Sequence, residues 1–187
     1  MHIKYVKSEK IAKFIIKCKL LVSKYDLYFL YPPLTIVYTS RPMSEKMLKF
    51  VEIGQQNPPK RDKNSRKEDF NEIYSEFIKG KANEQSSRCS QCGVPFCQVH
   101  CPLSNNIPDW LKLTAEGRHE EAYQLSQSTN NMPEVCGRIC PQDRLCEGNC
   151  VIEQSGHGTV TIGSIEKYIT DTAWEKGWVK PYKVKQE

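Results

Sequence analysis

Eight cysteines crowd into the 62 residues from Cys89 to Cys150, and they fall into two groups. The first is Cys89-x2-Cys92-x4-Cys97-x3-Cys101, followed by Pro102. The second is Cys136-x3-Cys140-Pro141-x4-Cys146-x3-Cys150. Thiols at this density are either cross-linked or hold metal, and what they hold fixes the loops between them. The ninth cysteine, Cys18, stands alone. No stretch approaches the roughly 18 apolar residues of a membrane-spanning helix. The most apolar run, Leu27 to Tyr38, is broken by Pro32 and Pro33. No apolar segment leads to a small-residue cleavage site, so no secretory signal is expected. The cytosol is then the expected compartment, where clustered cysteines bind metal more often than they pair.

A cubane iron–sulfur cluster needs four soft thiolates, and one short loop can supply three of them. Close spacing lets such a loop wrap the cube while backbone N–H groups point at its sulfurs. The first group is the two-cluster ferredoxin run C-x2-C-x2-C-x3-C-P with two further residues in the middle. In those ferredoxins the fourth cysteine serves the other cluster. Three other readings compete. A structural zinc site favours two pairs a dozen or more residues apart, whereas four cysteines here share thirteen residues. Disulfides would require an oxidising compartment. Cys89-Ser90-Gln91-Cys92 could form a thioredoxin-type redox pair, which would leave six neighbouring cysteines unexplained.

The net charge of +5 is unevenly placed. Residues 1–43 hold eight of the 27 Lys/Arg and two of the 22 Asp/Glu, leaving nineteen basic against twenty acidic residues in the remainder. A nucleic-acid surface on the main body is therefore not expected. Four segments are expected: a basic N-terminal extension (1–42), with short helical turns carrying Ile11, Phe14, Ile15 and Cys18; a polar linker or arm (43–67); a helical two-cluster domain (68–180); and a tail (181–187) that stops before any flavin domain. Met43 offers a second start, and the extension is expected to be dispensable or mis-started. Ser65-x-x-Glu68 reads as a capping box opening an amphipathic helix with Phe70, Ile73, Tyr74, Phe77 and Ile78 on one face, ended by Gly80. A second helix starts at Asn106-Ile107-Pro108 and breaks at Gly117. A third runs from Arg118 to about Ser128, ended by Asn130, Asn131 and Pro133. After a glycine loop at 155–158 and a short extended piece at 159–162, a last helix starts near Ser164, with Ile165, Tyr168, Ile169, Thr172 and Ala173 on one face, and ends at Gly177. The fold class is mainly α: a small helical domain whose cysteine-bearing loops surround two 4Fe–4S clusters, in the manner of an alpha-helical ferredoxin.

Longer segments carry a resemblance. RCSQCGVPFC from Arg88 to Cys97 and CPLSNNIPDWL from Cys101 to Leu111 resemble the N-terminal domain of the glutamate synthase small (beta) subunit. So do TNNMPEVCGRICPQDRLCEGNC from Thr129 to Cys150 and VTIGSIEKYI from Val160 to Ile169. The same domain occurs at the N-terminus of dihydropyrimidine dehydrogenase. The similarity covers about residues 43–180, and the stretch from Met43 to Lys60 resembles that subunit's usual start.

Taken group by group, the spacing puts Cys89, Cys92, Cys97 and Cys101 on one cluster and Cys136, Cys140, Cys146 and Cys150 on the other. The resemblance implies a crossed pattern instead. Cys89, Cys92, Cys97 and Cys150 would hold the first cluster. Cys101, Cys140 and Cys146 would hold the second, with Glu166 as its fourth ligand and Cys136 a non-ligand. A glutamate near the start of a helix otherwise serves the helix dipole. As a ligand, its carboxylate is a harder donor than thiolate and would change the second cluster's potential. His100 and His157 read as loop residues, and Trp110, Trp174 and Trp178 as core or interface. Arg138 and Arg144 either offset cluster charge or are solvated.

The resemblance implies an electron route from NADPH through FAD and the clusters to FMN on the large subunit, where 2-iminoglutarate is reduced to glutamate. Partners would be a flavin domain or flavoprotein and that large subunit, with no nucleic acid and no membrane. This sequence contains no G-x-G-x-x-G fingerprint: Gly156-x-Gly158 is followed by Thr161 where the third glycine belongs. No FAD or NADPH site and no catalytic residues are expected in this chain, which would carry electrons as part of a larger oxidoreductase. A stand-alone ferredoxin-like carrier for another flavin enzyme and a zinc-stapled interaction module are the alternatives.

Overall fold

The computed structural model describes residues 47–77 and 79–181. The expectations for the basic extension with its helical turns, for the start at Met43, for Ile78 and for the last six residues lie outside the described residues. Eight α-helices are formed among those that are described: α1 (Ser65–Glu68), α2 (Lys79–Ser86), α3 (Phe96–Val99), α4 (Ile107–Ala115), α5 (His119–Ser126), α6 (Pro133–Ile139), α7 (Val151–Gln154) and α8 (Ile162–Glu175). An isolated antiparallel bridge joins Lys60 to Tyr74.

Helical periodicity explains the core. In α4 the buried residues include Ile107, Trp110, Leu111, Thr114 and Ala115. In α5 they are His119, Ala122, Tyr123 and Ser126. In α8 they include Ile162, Ile165, Glu166, Ile169 and Ala173. Each set follows the three- and four-residue steps that put side chains on one helix face. Pro108 sits in the first turn of α4, where its missing N–H costs nothing. Gly117, with φ 76°, reverses the chain between α4 and α5. Trp110 is fully buried and its indole N–H donates to Asn105 Oδ1 at 2.8 Å.

α8 is the central element and packs on α2, α4, α5 and, most extensively, α6. Gly137 of α6 makes that last contact possible: a Cβ there would lie 2.7 Å from the Lys167 backbone nitrogen. The N-terminus of α8 is held by Glu147, whose Oε1 accepts the Gly163 N–H at 2.9 Å. Burial pushes the Glu147 carboxyl up, while the N–H groups of Gly163 and Ile162 hold it down.

The polar run Gln85-Ser86-Ser87-Arg88 is buried. Its groups are satisfied by the preceding chain: Gln85 Oε1 accepts the Gln56 N–H at 2.9 Å, and Leu48 and Lys49 donate to the carbonyls of Cys89 and Ser87.

The helix expected over residues 65–78 does not form. Only Ser65–Glu68 is helical, and its N-cap is Asn64. Asp62 Oδ2, rather than Ser65, accepts the first N–H groups. Beyond it the chain turns back on residues 59–61, with Arg61 N–H donating to the Ile73 carbonyl and Ser75 N–H to that of Pro59. The Arg61–Asp69 ion pair at 2.5 Å closes this bend. Phe70 and Ile73 are exposed and Phe77 is buried. Gly80 lies inside α2 instead of ending a helix. Two smaller differences concern later elements. Pro133 opens α6 instead of ending α5, and α8 begins at Ile162, at the end of the expected extended piece and before Ser164.

Candidate functional site: two clusters of thiols

The eight described cysteines are free, and the fold sorts them into two sets. Cys89 follows the end of α2, Cys97 lies in α3, and Cys150 is the N-cap of α7. Burial pushes Cys89 up to about 11, with the charges of Cys150 and Cys92 adding to the rise. Burial also pushes Cys97 up to about 12, with Cys89, Cys150 and Cys92 contributing. These four thiols share one another's field. The loop between Cys89 and Cys92 is shaped to face sulfur: Gln91 takes a left-handed φ of 51°, and its backbone and side-chain N–H groups approach Cys89 Sγ at 3.5 and 3.4 Å. The Gln91 side chain also donates to the Pro108 carbonyl at 2.7 Å, which ties the loop to α4. Ser90 Oγ lies 3.0 Å from Cys92 Sγ.

The second set surrounds a cavity of about 200 Å³ lined by Cys101, Cys136, Cys140, Cys146 and Glu166, with Asn130, Ile107 and Ile162 among its walls. Cys136 lies on α6 and Cys140 is its C-cap. Cys101 follows α3, and Glu166 comes from the buried face of α8. Burial pushes Cys146 well up, with Glu147, Glu166, Cys140 and Cys101 adding to it. Cys140 is raised by burial and then by Cys136, Cys101 and Glu166. Burial pushes Glu166 up to about 7, opposed by a hydrogen bond from Asn130.

The structure thus brings Cys150 to Cys89, Cys92 and Cys97, and carries Cys101 away to Cys140, Cys146 and Glu166. Cys136 faces the second cavity, so five candidate donors line it. Among the described residues, no three His, Cys, Asp or Glu side chains converge tightly enough to hold a single ion. The second set lines a space, as a multi-atom cofactor needs, and soft sulfur donors suit iron–sulfur ligation.

The other singled-out residues fall elsewhere. His100 is exposed, with Nδ1 2.9 Å from the Phe96 carbonyl. His157 packs edge-on against Phe50. Arg138 pairs with Glu72 at 2.5 Å and Asp171 at 2.8 Å, and Arg144 is solvated. Trp174 is 62% exposed. Residue patterns alone passed over Arg88, which reads as one more charge in a polar run and is fully buried beside Cys89.

A small helical domain with two sets of thiol donors, each partly or fully buried, and a buried carboxylate beside one of them, is an iron–sulfur domain. The chain belongs to the family described as dihydropyrimidine dehydrogenase domain II, 4Fe-4S cluster, which matches residues 66–178. Its cofactors are two 4Fe–4S clusters. It is 72% identical over 138 residues to the glutamate synthase [NADPH] small chain of Azospirillum brasilense, covering 74% of this chain and 29% of that one. It is 52% identical over 136 residues to the protein of the same name from Escherichia coli K12, covering 73% and 29%. A third, from Halomonas elongata, is 52% identical over 129 residues, covering 69% and 27%. The matched stretch thus spans less than a third of the length of these relatives. No helix among the described residues is long and apolar enough to cross a membrane.

Proposed function

We propose that this chain is the N-terminal electron-transfer part of an NADPH-dependent glutamate synthase small subunit. In this reading it passes electrons between an FAD/NADPH domain and the FMN-containing large subunit in glutamate biosynthesis. Cys89, Cys92, Cys97 and Cys150 would hold the first cluster, and Cys101, Cys140, Cys146 and Glu166 the second, with Cys136 outside both. Each cluster, when bound, supplies a one-electron carrier.

The observation that carries this reading is the division of Cys97 and Cys101 between the two sets. They are separated by one helical turn, with Cys101 N–H donating to the Gln98 carbonyl at 3.1 Å. Cys101 lies two residues beyond the end of α3, only four residues after Cys97, so the two sites are neighbours through the covalent chain, as electron hopping requires. The protein's part is to position the clusters, exclude water from Cys89, Cys146 and Cys150, and set the local charge. The proposed location is the cytoplasm, where free thiols stay reduced.

Iron and acid-labile sulfide per chain, with an EPR spectrum after reduction, test the cofactor part on anaerobically reconstituted protein. About eight of each is the count for two cubanes. Zinc without sulfide would overturn it. For the partner, reduced protein mixed with the FMN-containing large subunit should be reoxidised as the flavin is reduced. No transfer between them would remove the glutamate synthase assignment.

A further inference from the structure

Arg88 is fully buried and immediately precedes Cys89. Its guanidinium is bound on every side by carbonyl oxygens. Nε donates to Ile53 O at 2.9 Å, and Nη1 donates to Thr159 O. Nη2 donates to His157 O at 2.9 Å and Gly158 O at 2.8 Å. Every one of these acceptors is neutral. Among the described residues no carboxylate forms an ion pair with Arg88. A buried cation without a counter-charge is costly, and folded chains rarely keep one. Burial opposes the charge of Arg88, and Cys150, of the first thiol set, and then Glu153 on α7 act on it in the opposite sense. Four thiolates around a 4Fe–4S core carry a net negative charge, which grows by one electron on reduction.

We propose that Arg88 is the built-in counter-charge of the first cluster, a positioning residue whose fixed positive charge stabilises that cluster's reduced form and raises its midpoint potential. This rests on the reading that Cys89, Cys92, Cys97 and Cys150 hold that cluster. The carbonyls of Ile53 and residues 157–159 hold the guanidinium in place. Arg138 and Arg144, the basic residues that flank second-group cysteines in the sequence, do not take this role, because one is paired with carboxylates and the other is solvated.

The test uses the full chain, reconstituted anaerobically, in wild-type, Arg88→Gln and Arg88→Lys forms. Iron and sulfide are counted, and both clusters are titrated by EPR. The first cluster is identified as the signal that a Cys92→Ala variant removes. The expected result is a lower midpoint for that cluster alone in Arg88→Gln, with Arg88→Lys close to wild type. A Gln variant that fails to load the first cluster, beside a Lys variant that loads it, also supports the need for charge. An unchanged midpoint in a fully loaded Arg88→Gln overturns the proposal, as does equal loss or equal lowering in both variants, since the role would then lie in hydrogen-bond geometry. Wild-type protein that never reaches about eight iron overturns the ligand reading first, and this inference with it.

Discussion

Asn130 Nδ2 donates to Glu166 Oε1 at 3.2 Å, across the wall of the second cavity. The orientation of that amide is fixed from behind, because Asn130 Oδ1 accepts the Met132 N–H at 3.0 Å at the entry to α6. The hydrogen bond leaves the carboxylate on the cavity side of α8, facing Cys101, Cys140 and Cys146. Replacing Glu166 with Ala is expected to remove one cluster and spare the other, lowering iron from about eight to about four per chain. Both EPR signals persisting unchanged in Glu166→Ala would exclude the carboxylate as a ligand.

Cys136 shares that cavity with Cys140, so it is the residue that separates the two ligand arrangements. Cys136→Ala should load about eight iron per chain, because four other donors complete the site. Loss of a whole cluster in this variant would make Cys136 a ligand and displace Glu166 or one of the other three.

Gly163 is the second residue of α8, and a Cβ on it would lie 2.2 Å from the Gln142 amide. That amide donates to the Cys136 carbonyl at 2.6 Å. Gly163→Ala must push Gln142 aside and loosen the loop between Cys140 and Cys146. Chemical denaturation should show a loss of about 1–3 kcal/mol, the usual cost of overpacking. A denaturation midpoint equal to wild type would mean that Gln142 swings away freely.

His119 is buried between α2 and α8. The Asn83 amide nitrogen, in the orientation that satisfies its neighbours, donates to His119 Nε2 at 2.8 Å and to the Thr114 carbonyl at 3.1 Å. The ring of Tyr168 packs edge-on against it. An imidazole that accepts a hydrogen bond is neutral, and burial, with Lys79 adding, pushes its pKa down. A histidine depressed in the folded state contributes stability above its unfolded value of about 6.5, and this is lost as pH falls through the folded value. Melting temperature should therefore fall on acidification from pH 7.5 to 5.5, and fall less in His119→Gln at equal iron content. Parallel slopes in the two proteins would show that His119 does not carry the dependence.

Local chemistry was legible in the sequence and distant pairing was not. Cysteine spacing within a loop identifies the cofactor class, because a loop of thirteen residues has to wrap what it binds. Which loops meet depends on α8 packing against α6 and α4, and residue spacing contains nothing about that; the crossed arrangement was expected only from the resemblance. The helical period of Phe70, Ile73, Tyr74 and Phe77 was real but misleading. The Arg61–Asp69 pair and backbone bonding to residues 59–61 fold that segment back before a helix can run through it. Pro133 reads in the sequence as a stop, although a proline serves equally well in the first turn of a new helix. Arg88 was hidden for a different reason. Its burial depends on carbonyls about 70 residues away in sequence, while its neighbours Gln85, Ser86 and Ser87 look like a solvated surface.

Cys150 meets partners that begin at Cys89, and Glu166 faces thiols that begin at Cys101. Each set therefore spans more than 60 residues of chain, and on a ribosome neither is assembled until most of the domain has emerged. Iron delivered during synthesis would find half-sites only. Under the proposed ligand assignment, cluster insertion has to follow synthesis of both halves of each site.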